Sequence, residues 1–259
     1  MKELTHLSLF SGIGGLDLAA EWAGFRTVGQ CEWANYPRAV LEKHWPGLPR
    51  WRDIRTLTGD DFYEKTKIER PTVVSGGFPC QPHSLAGKRL ASDDERDLWG
   101  ELFRVFCETG AKWLVAENVP GLLSSENGRF FGRVLRDLAE RGCHVWWYCF
   151  PAHAAGRPFW GERVAIVAST DGNRWRGLDK DKAGRCKTLD MEVYKEGAHR
   201  QVYLPFYLAW PQPEPGCGYR RNDDGLSKGV DRLKCIGNAV MPPQFYPIFR
   251  AIAEVERYG

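Results

Sequence analysis

His6-Leu7-Ser8-Leu9-Phe10-Ser11-Gly12-Ile13-Gly14-Gly15 runs from an apolar stretch into a glycine turn, after which Leu16, Leu18, Ala19 and Trp22 recur at helical spacing. The pattern predicts a strand, a tight turn and a helix. Turns of this kind receive nucleotide-like ligands, because glycine permits close approach and the helix start offers unpaired amide donors. The next apolar segment, Thr27-Val28-Gly29-Gln30-Cys31, ends in Glu32, at roughly the interval where a ribose-binding carboxylate follows such a turn. Trp33 beside it offers a flat face.

Outward from this unit, strand-like segments near residues 7–10, 27–31, 72–75, 113–116, 145–150 and 164–168 alternate with helical segments near 15–23, 36–44, 98–108 and 130–141. Such alternation predicts an α/β architecture with a doubly wound sheet. After Ser169 the pattern decays into Gly, Asp, Lys and Arg, then Pro205, Pro211, Pro213 and Pro215, which predicts a second, small and irregular lobe. Near the end, Phe245, Ile248, Phe249, Ile252 and Val255 share a helical face, which predicts a helix returning to the first domain. The expected division is 1–169, 170–232 and 233–259.

Gly76-Gly77-Phe78-Pro79-Cys80-Gln81-Pro82-His83-Ser84 places a cysteine in a stiff turn directly after the apolar strand Val73-Val74. Proline on both sides restricts the backbone, and a thiol displayed there reads as a nucleophile. A second strand, Trp113-Leu114-Val115-Ala116, ends in Glu117-Asn118-Val119-Pro120. In a parallel sheet Glu117 and Cys80 would both stand at carboxyl ends of strands, where open α/β folds bind ligands. The short pairs Cys80/His83 and Cys149/His153 also resemble zinc-ligand spacings, but zinc would consume Cys80 and leave Glu117 unexplained, so no metal is expected.

The eight cysteines have no paired framework, and Cys31, Cys143 and Cys149 lie in or beside strand-like runs, as reduced thiols would. No segment approaches a membrane span and the Met1 end is polar, so a cytoplasmic protein is expected. The net charge of +3 is too small to identify a partner. Its distribution says more: from Gly172 to Lys234, 13 Lys and Arg face 9 Asp and Glu, which is +4 and leaves −1 for the remainder. A basic surface loop would look the same, but Arg174, Trp175, Arg176, Lys180, Lys182, Arg185 and Lys187 are candidates for phosphate contact.

Taken in order, Phe10-Ser11-Gly12-Ile13-Gly14-Gly15, Glu32-Trp33, Asp53-Ile54, Pro79-Cys80-Gln81, Glu117-Asn118-Val119 and Gly237-Asn238-Ala239-Val240 resemble the motifs of the cytosine-C5 DNA methyltransferase family. The resemblance covers most of residues 4–169 and 233–257. It implies the class I methyltransferase fold, a doubly wound, Rossmann-like and mostly parallel sheet, with residues 170–232 as a small target-recognition lobe. It also implies S-adenosylmethionine as methyl donor, S-adenosylhomocysteine as product and double-stranded DNA as partner. A monomeric chain is expected, with room for a cognate restriction nuclease in the host. By the resemblance Phe10, Ile13 and Gly15 line the methionine and sulfonium side of the cofactor, Glu32 accepts the ribose hydroxyls, and Trp33 stacks on adenine. Asp53 receives the adenine amino group, while Ile54, Leu98, Asn238 and Val240 close the pocket.

The resemblance gives the chemistry too. Carbon 5 of cytosine becomes nucleophilic only after the Cys80 thiolate adds at carbon 6. Glu117 would protonate N3 as charge builds on the ring, which calls for a raised pKa. A base inside a duplex must first be flipped out. The polar segment 84–97 resembles the family's mobile catalytic loop, which would bring Ser84, Lys88 or Arg89 towards phosphate. One departure stands out: the family's Gln-x-Arg-x-Arg pattern reads Phe159-Trp160-Gly161-Glu162-Arg163 here, so only Arg163 is left to orient the cytosine ring near O2. An RNA methyltransferase acting on transfer RNA could carry the same motifs. A non-catalytic DNA-binding relative would be expected to have lost Cys80 or Glu117, and both are present.

Overall fold

The structure is a computed structural model, and it describes residues 3–79, 98–150, 161–171 and 239–258. The strands are β1 (Thr5–Leu9), β2 (Arg26–Cys31), β3 (Arg50–Trp51), β4 (Val73–Gly77), β5 (Trp113–Asn118), β6 (His144–Phe150) and β7 (Arg163–Ser169). They form one sheet in the order β3-β2-β1-β4-β5-β7-β6. β3, β2, β1, β4 and β5 run parallel, and β7 is antiparallel to both β5 and β6. This is the mostly parallel sheet expected, with β3 added: two residues are too few for a periodicity to register.

The helices are α1 (Gly15–Trp22), α2 (Asn35–His44), α3 (Gly59–Thr66), α4 (Trp99–Glu108), α5 (Gly121–Ser124), α6 (Arg129–Glu140) and α7 (Pro242–Tyr258). Strand alternation sends side chains to opposite faces, so Leu114 and Ala116 of β5 join one apolar cluster while Trp113 and Val115 join the other. The first cluster takes Phe62 of α3, Leu102 and Phe106 of α4, and Val134 and Leu138 of α6. The second takes Leu16, Ala19 and Ala20 of α1 with Phe245, Phe249 and Ile252 of α7. The C-terminal helix thus packs on α1, and full burial of a side chain such as Phe249 contributes about 1.5–3 kcal/mol.

α1 departs from its expected apolar face. Trp22 is 47% exposed, its ring edge-on to Tyr246 at 6.5 Å, and Leu18 is only half-buried. The buried place is taken by Asp17, whose carboxylate accepts hydrogen bonds from Ser8 Oγ and Gln30 Nε2, both at 2.8 Å. Three central strands are cross-linked by buried His6, whose ring nitrogens lie 3.1 Å from Thr27 Oγ1 on β2 and 2.7 Å from Ser75 Oγ on β4. Burial holds its pKa down to about 3, so the imidazole is neutral.

Register decides where the chemistry can gather. Leu9 is level with Cys31 of β2 and Gly76 of β4, and Gly76 is level with Ala116 of β5. Four parallel strands therefore end in one row, and the residues that follow project from a common edge. Chain order reverses between β1 and β4, the switch point at which open α/β sheets leave a crevice.

Candidate active site at the strand switch point

A cavity of about 400 Å³ opens at that crevice. Its wall is built by Phe10, Gly12, Ile13 and Gly15 from the turn after β1, Glu32 after β2, Pro79 after β4, Glu117 of β5, and Val240 just before α7. The turn is tightly wound: Phe10, Gly12 and Gly14 have φ of 50°, 54° and 89°. Glycine meets that requirement freely, and Phe10 adopts it against its own preference, a kind of strain that collects at ligand sites. Gly15 is glycine for another reason: a Cβ there would stand 2.2 Å from the Val240 carbonyl oxygen. The absent side chain lets the segment before α7 close on the turn, which unites two motifs more than 200 positions apart.

Glu32 secures the turn. Its Oε2 accepts the Gly12 N–H and its Oε1 the Ala34 N–H, both at 2.8 Å, so the carboxylate ties the β1 turn to the approach to α2. Glu117 is held differently. It is 8% exposed, and Arg163 Nε stands 2.8 Å from its Oε1. Burial raises its pKa to about 7 against the opposing pull of the Arg163 guanidinium. A Cβ on Gly77 would come within 2.7 Å of Glu117 Oε2, so the carboxyl would have to move from its present place to admit one. Asn118 Nδ2 donates to the Phe78 carbonyl at 2.9 Å, and its Oδ1 accepts the Val119 N–H at 2.9 Å, which fixes the turn leading to Pro79. A carboxyl poised near neutrality beside a cavity can donate a proton to a bound ring nitrogen.

Other expected site residues lie around the cavity rather than in its wall. Trp33 is 63% exposed between the wall residues Glu32 and Ala34, with the Arg52 guanidinium 5.6 Å from its ring centroid. Asp53 caps a short 3-10 turn, accepting the Arg55 N–H at 3.0 Å. Ile54 is buried in the apolar core and Leu98, just before α4, packs against it, so both side chains are engaged in packing. Cys80, Ser84, Lys88, Arg89, Arg174, Arg176 and Asn238 lie outside the described residues. Tyr36 and Pro37 at the start of α2 also line the cavity and were not anticipated; the signal was their place just after Glu32-Trp33, where a helix begins.

The C-5 cytosine-specific DNA methylase family model matches residues 4–201. The chain belongs to this family. Among its relatives, the type II methyltransferase M.BsuFI of Bacillus subtilis is 32% identical over 166 residues, which is 64% of this chain and 39% of the relative. The type II methyltransferase M.NgoBI of Neisseria gonorrhoeae is 34% identical over 166 residues, 64% of this chain and 50% of the relative. The matched part thus spans half or less of their length. A crystal structure of a candidate DNA modification methyltransferase encoded within an Escherichia coli prophage superposes with a TM-score of 0.59 at 23% identity, over 70% of this chain and 50% of that one. At that identity the superposition speaks for the fold, a class I methyltransferase sheet.

Proposed function

We propose that this methylase transfers a methyl group from S-adenosylmethionine to carbon 5 of cytosine in double-stranded DNA. The observation that carries the reading is Glu117: a buried carboxyl with a pKa near 7, level in register with Gly77, three residues before Cys80. In this reading the Cys80 thiolate adds to carbon 6 while Glu117 delivers a proton to N3, so negative charge does not accumulate on the ring. Arg163 holds the Glu117 carboxyl in place and reaches the same region to orient the base. After the methyl group joins carbon 5, loss of the carbon-5 proton and departure of the Cys80 sulfur restore the ring, and N3 returns its proton to Glu117.

The residues present fit the cofactor. The cavity has the size of a small-ligand site, glycine at position 15 lets Val240 close against the turn to complete its wall, and Glu32 lines it with accepting capacity left on both oxygens. When bound, S-adenosylmethionine supplies an electrophilic methyl group on a sulfonium. Phe10, Ile13, Gly15 and Val240 would enclose it, Glu32 would orient the ribose, and Trp33 and Asp53 would close on adenine from the rim. Ser84, Lys88, Arg89, Arg174 and Arg176 are proposed to contact DNA, with 170–232 as the recognition lobe. The packing of α7 on α1 supports treating 233–259 as part of the catalytic domain.

Incubation with tritiated S-adenosylmethionine and either duplex DNA or transfer RNA tests the reading. 5-Methylcytosine is expected in DNA alone. Label confined to transfer RNA, or found on another base, would overturn it.

A further inference from the structure

We infer that Arg104 is a positioning residue that makes the cofactor site select adenine, acting through Asp53. The inference rests on the reading above, in which the Asp53 carboxylate receives the adenine amino group. Asp53 Oδ1 accepts the Arg55 N–H at 3.0 Å, while its carbonyl accepts the Thr56 N–H at 3.0 Å and the Thr56 hydroxyl at 2.8 Å. Side chain and main chain are thus both locked onto the 3-10 turn Ile54–Thr56. The direction in which Oδ2 faces is set by how that turn is held.

The stretch is pinned at both ends. At the front, two residues before Asp53, the Trp51 carbonyl accepts the N–H of the wall residue Glu32 at 3.0 Å, and Arg38 Nη1 bridges the carbonyls of Trp51 and Glu32 at 3.1 and 3.3 Å. At the back, Arg104 reaches across from α4: Nη2 donates to the Ile54 carbonyl at 2.9 Å and Nη1 to the Leu57 carbonyl at 3.0 Å. Its other donors go to Glu101, from Nε at 3.0 Å and Nη2 at 2.7 Å, and to Glu108, from Nη1 at 2.9 Å. Every N–H of the guanidinium is then engaged, which leaves the fork a single orientation. The ion pairs themselves add little stability, because Arg104, Glu101 and Glu108 are each about a third exposed and water can replace them. The buried side chains of Ile54 and Leu57 keep the turn on the core. What Arg104 controls is aim, and a hydrogen bond weakens steeply as its angle closes. A carboxylate oxygen aimed at adenine accepts from its amino group, whereas hypoxanthine presents a carbonyl oxygen there and sets two acceptors face to face. Loosening the turn therefore erodes the choice between bases rather than the fold.

The test is calorimetric titration of the full chain with S-adenosylhomocysteine and its deaminated analogue S-inosylhomocysteine. Wild-type protein should prefer the adenine ligand by about tenfold to a hundredfold, the worth of a hydrogen bond to a charged acceptor. Arg104→Met, which keeps the apolar stem, should weaken the adenine ligand about tenfold and the hypoxanthine ligand less than about twofold. Equal weakening of both would mark Arg104 as structural and overturn the inference, as would an unchanged preference. Arg104→Lys keeps the charge but replaces the fork with one nitrogen, so it should lose the same preference and serves if the methionine variant fails to fold. A wild-type preference in Arg104→Lys would overturn the inference. Wild-type protein that binds neither ligand, or both alike, would instead reject the Asp53 reading beneath it.

Discussion

Two glutamates face one cavity from strands β2 and β5, and the sheet treats them in opposite ways. Glu32 follows β2 and spends its carboxylate on the backbone amides of Gly12 and Ala34, which suits a charged anchor at a rim. Glu117 lies one residue before the end of β5 under cover, with Arg163 beside it and a pKa near 7, which suits a group that must gain and lose a proton. The difference is one of surroundings: the parallel half of the sheet offers turn amides, whereas antiparallel β7 brings an arginine from the neighbouring strand end. Under the proposed function, one half serves binding and the other proton transfer.

That division is broken most severely at the catalytic half. Cys80→Ala should abolish methyl transfer in a radiometric assay yet leave the calorimetric affinity for S-adenosylmethionine nearly unchanged. Glu117→Gln, which keeps the shape but cannot donate a carboxyl proton, should lower kcat by about 10²–10⁴-fold with cofactor affinity again preserved. A parallel loss of affinity would show that the two halves are not separable.

At the binding half the expected effects are smaller. Gly15→Ala forces a methyl group against the Val240 carbonyl and should destabilise the protein by about 1–3 kcal/mol, with a matching loss of cofactor affinity, read by chemical denaturation and titration. Trp33→Ala should cost cofactor binding about 1 kcal/mol, roughly fivefold in Kd, with kcat at saturation little changed. An unchanged Kd would remove Trp33 from the binding site.

The smallest effect sharpens the comparison. Because the proton donor is the acid form of Glu117, the single-turnover rate should fall as pH rises through about 7. Arg163 holds that pKa down, so Arg163→Met should lower the rate overall and move the falling limb to higher pH. A limb that stays in place would separate Arg163 from the proton transfer.

Much of this arrangement was legible in the residues. An apolar run, a glycine turn and a following carboxylate sufficed to place β1, α1 and Glu32, because each rests on local backbone chemistry. Contacts distant in sequence carried no such signal: the fit of Gly15 against Val240 arises only when α7 returns. Helical spacing put Trp22 on the apolar face and passed over Asp17, since periodicity recognises apolar residues and a buried carboxylate held by Ser8 and Gln30 looks polar in the chain. α3 was missed for a related reason. Its sequence is polar and only Phe62 is buried; the trace was Thr58, which caps the helix by accepting the Asp61 N–H at 3.2 Å.

The central claim, addition of the Cys80 thiolate to carbon 6 assisted by Glu117, is tested most directly by duplex DNA carrying 5-fluorocytosine at the methylated position. Fluorine cannot leave carbon 5 as a proton does, so after methyl transfer the thioether to carbon 6 should persist. The account predicts an adduct that survives denaturing electrophoresis, requires S-adenosylmethionine, forms more slowly with Glu117→Ala and is absent with Cys80→Ala. Turnover of ordinary target DNA with no stable adduct at the fluorinated base, or an adduct formed equally by Cys80→Ala, would contradict it.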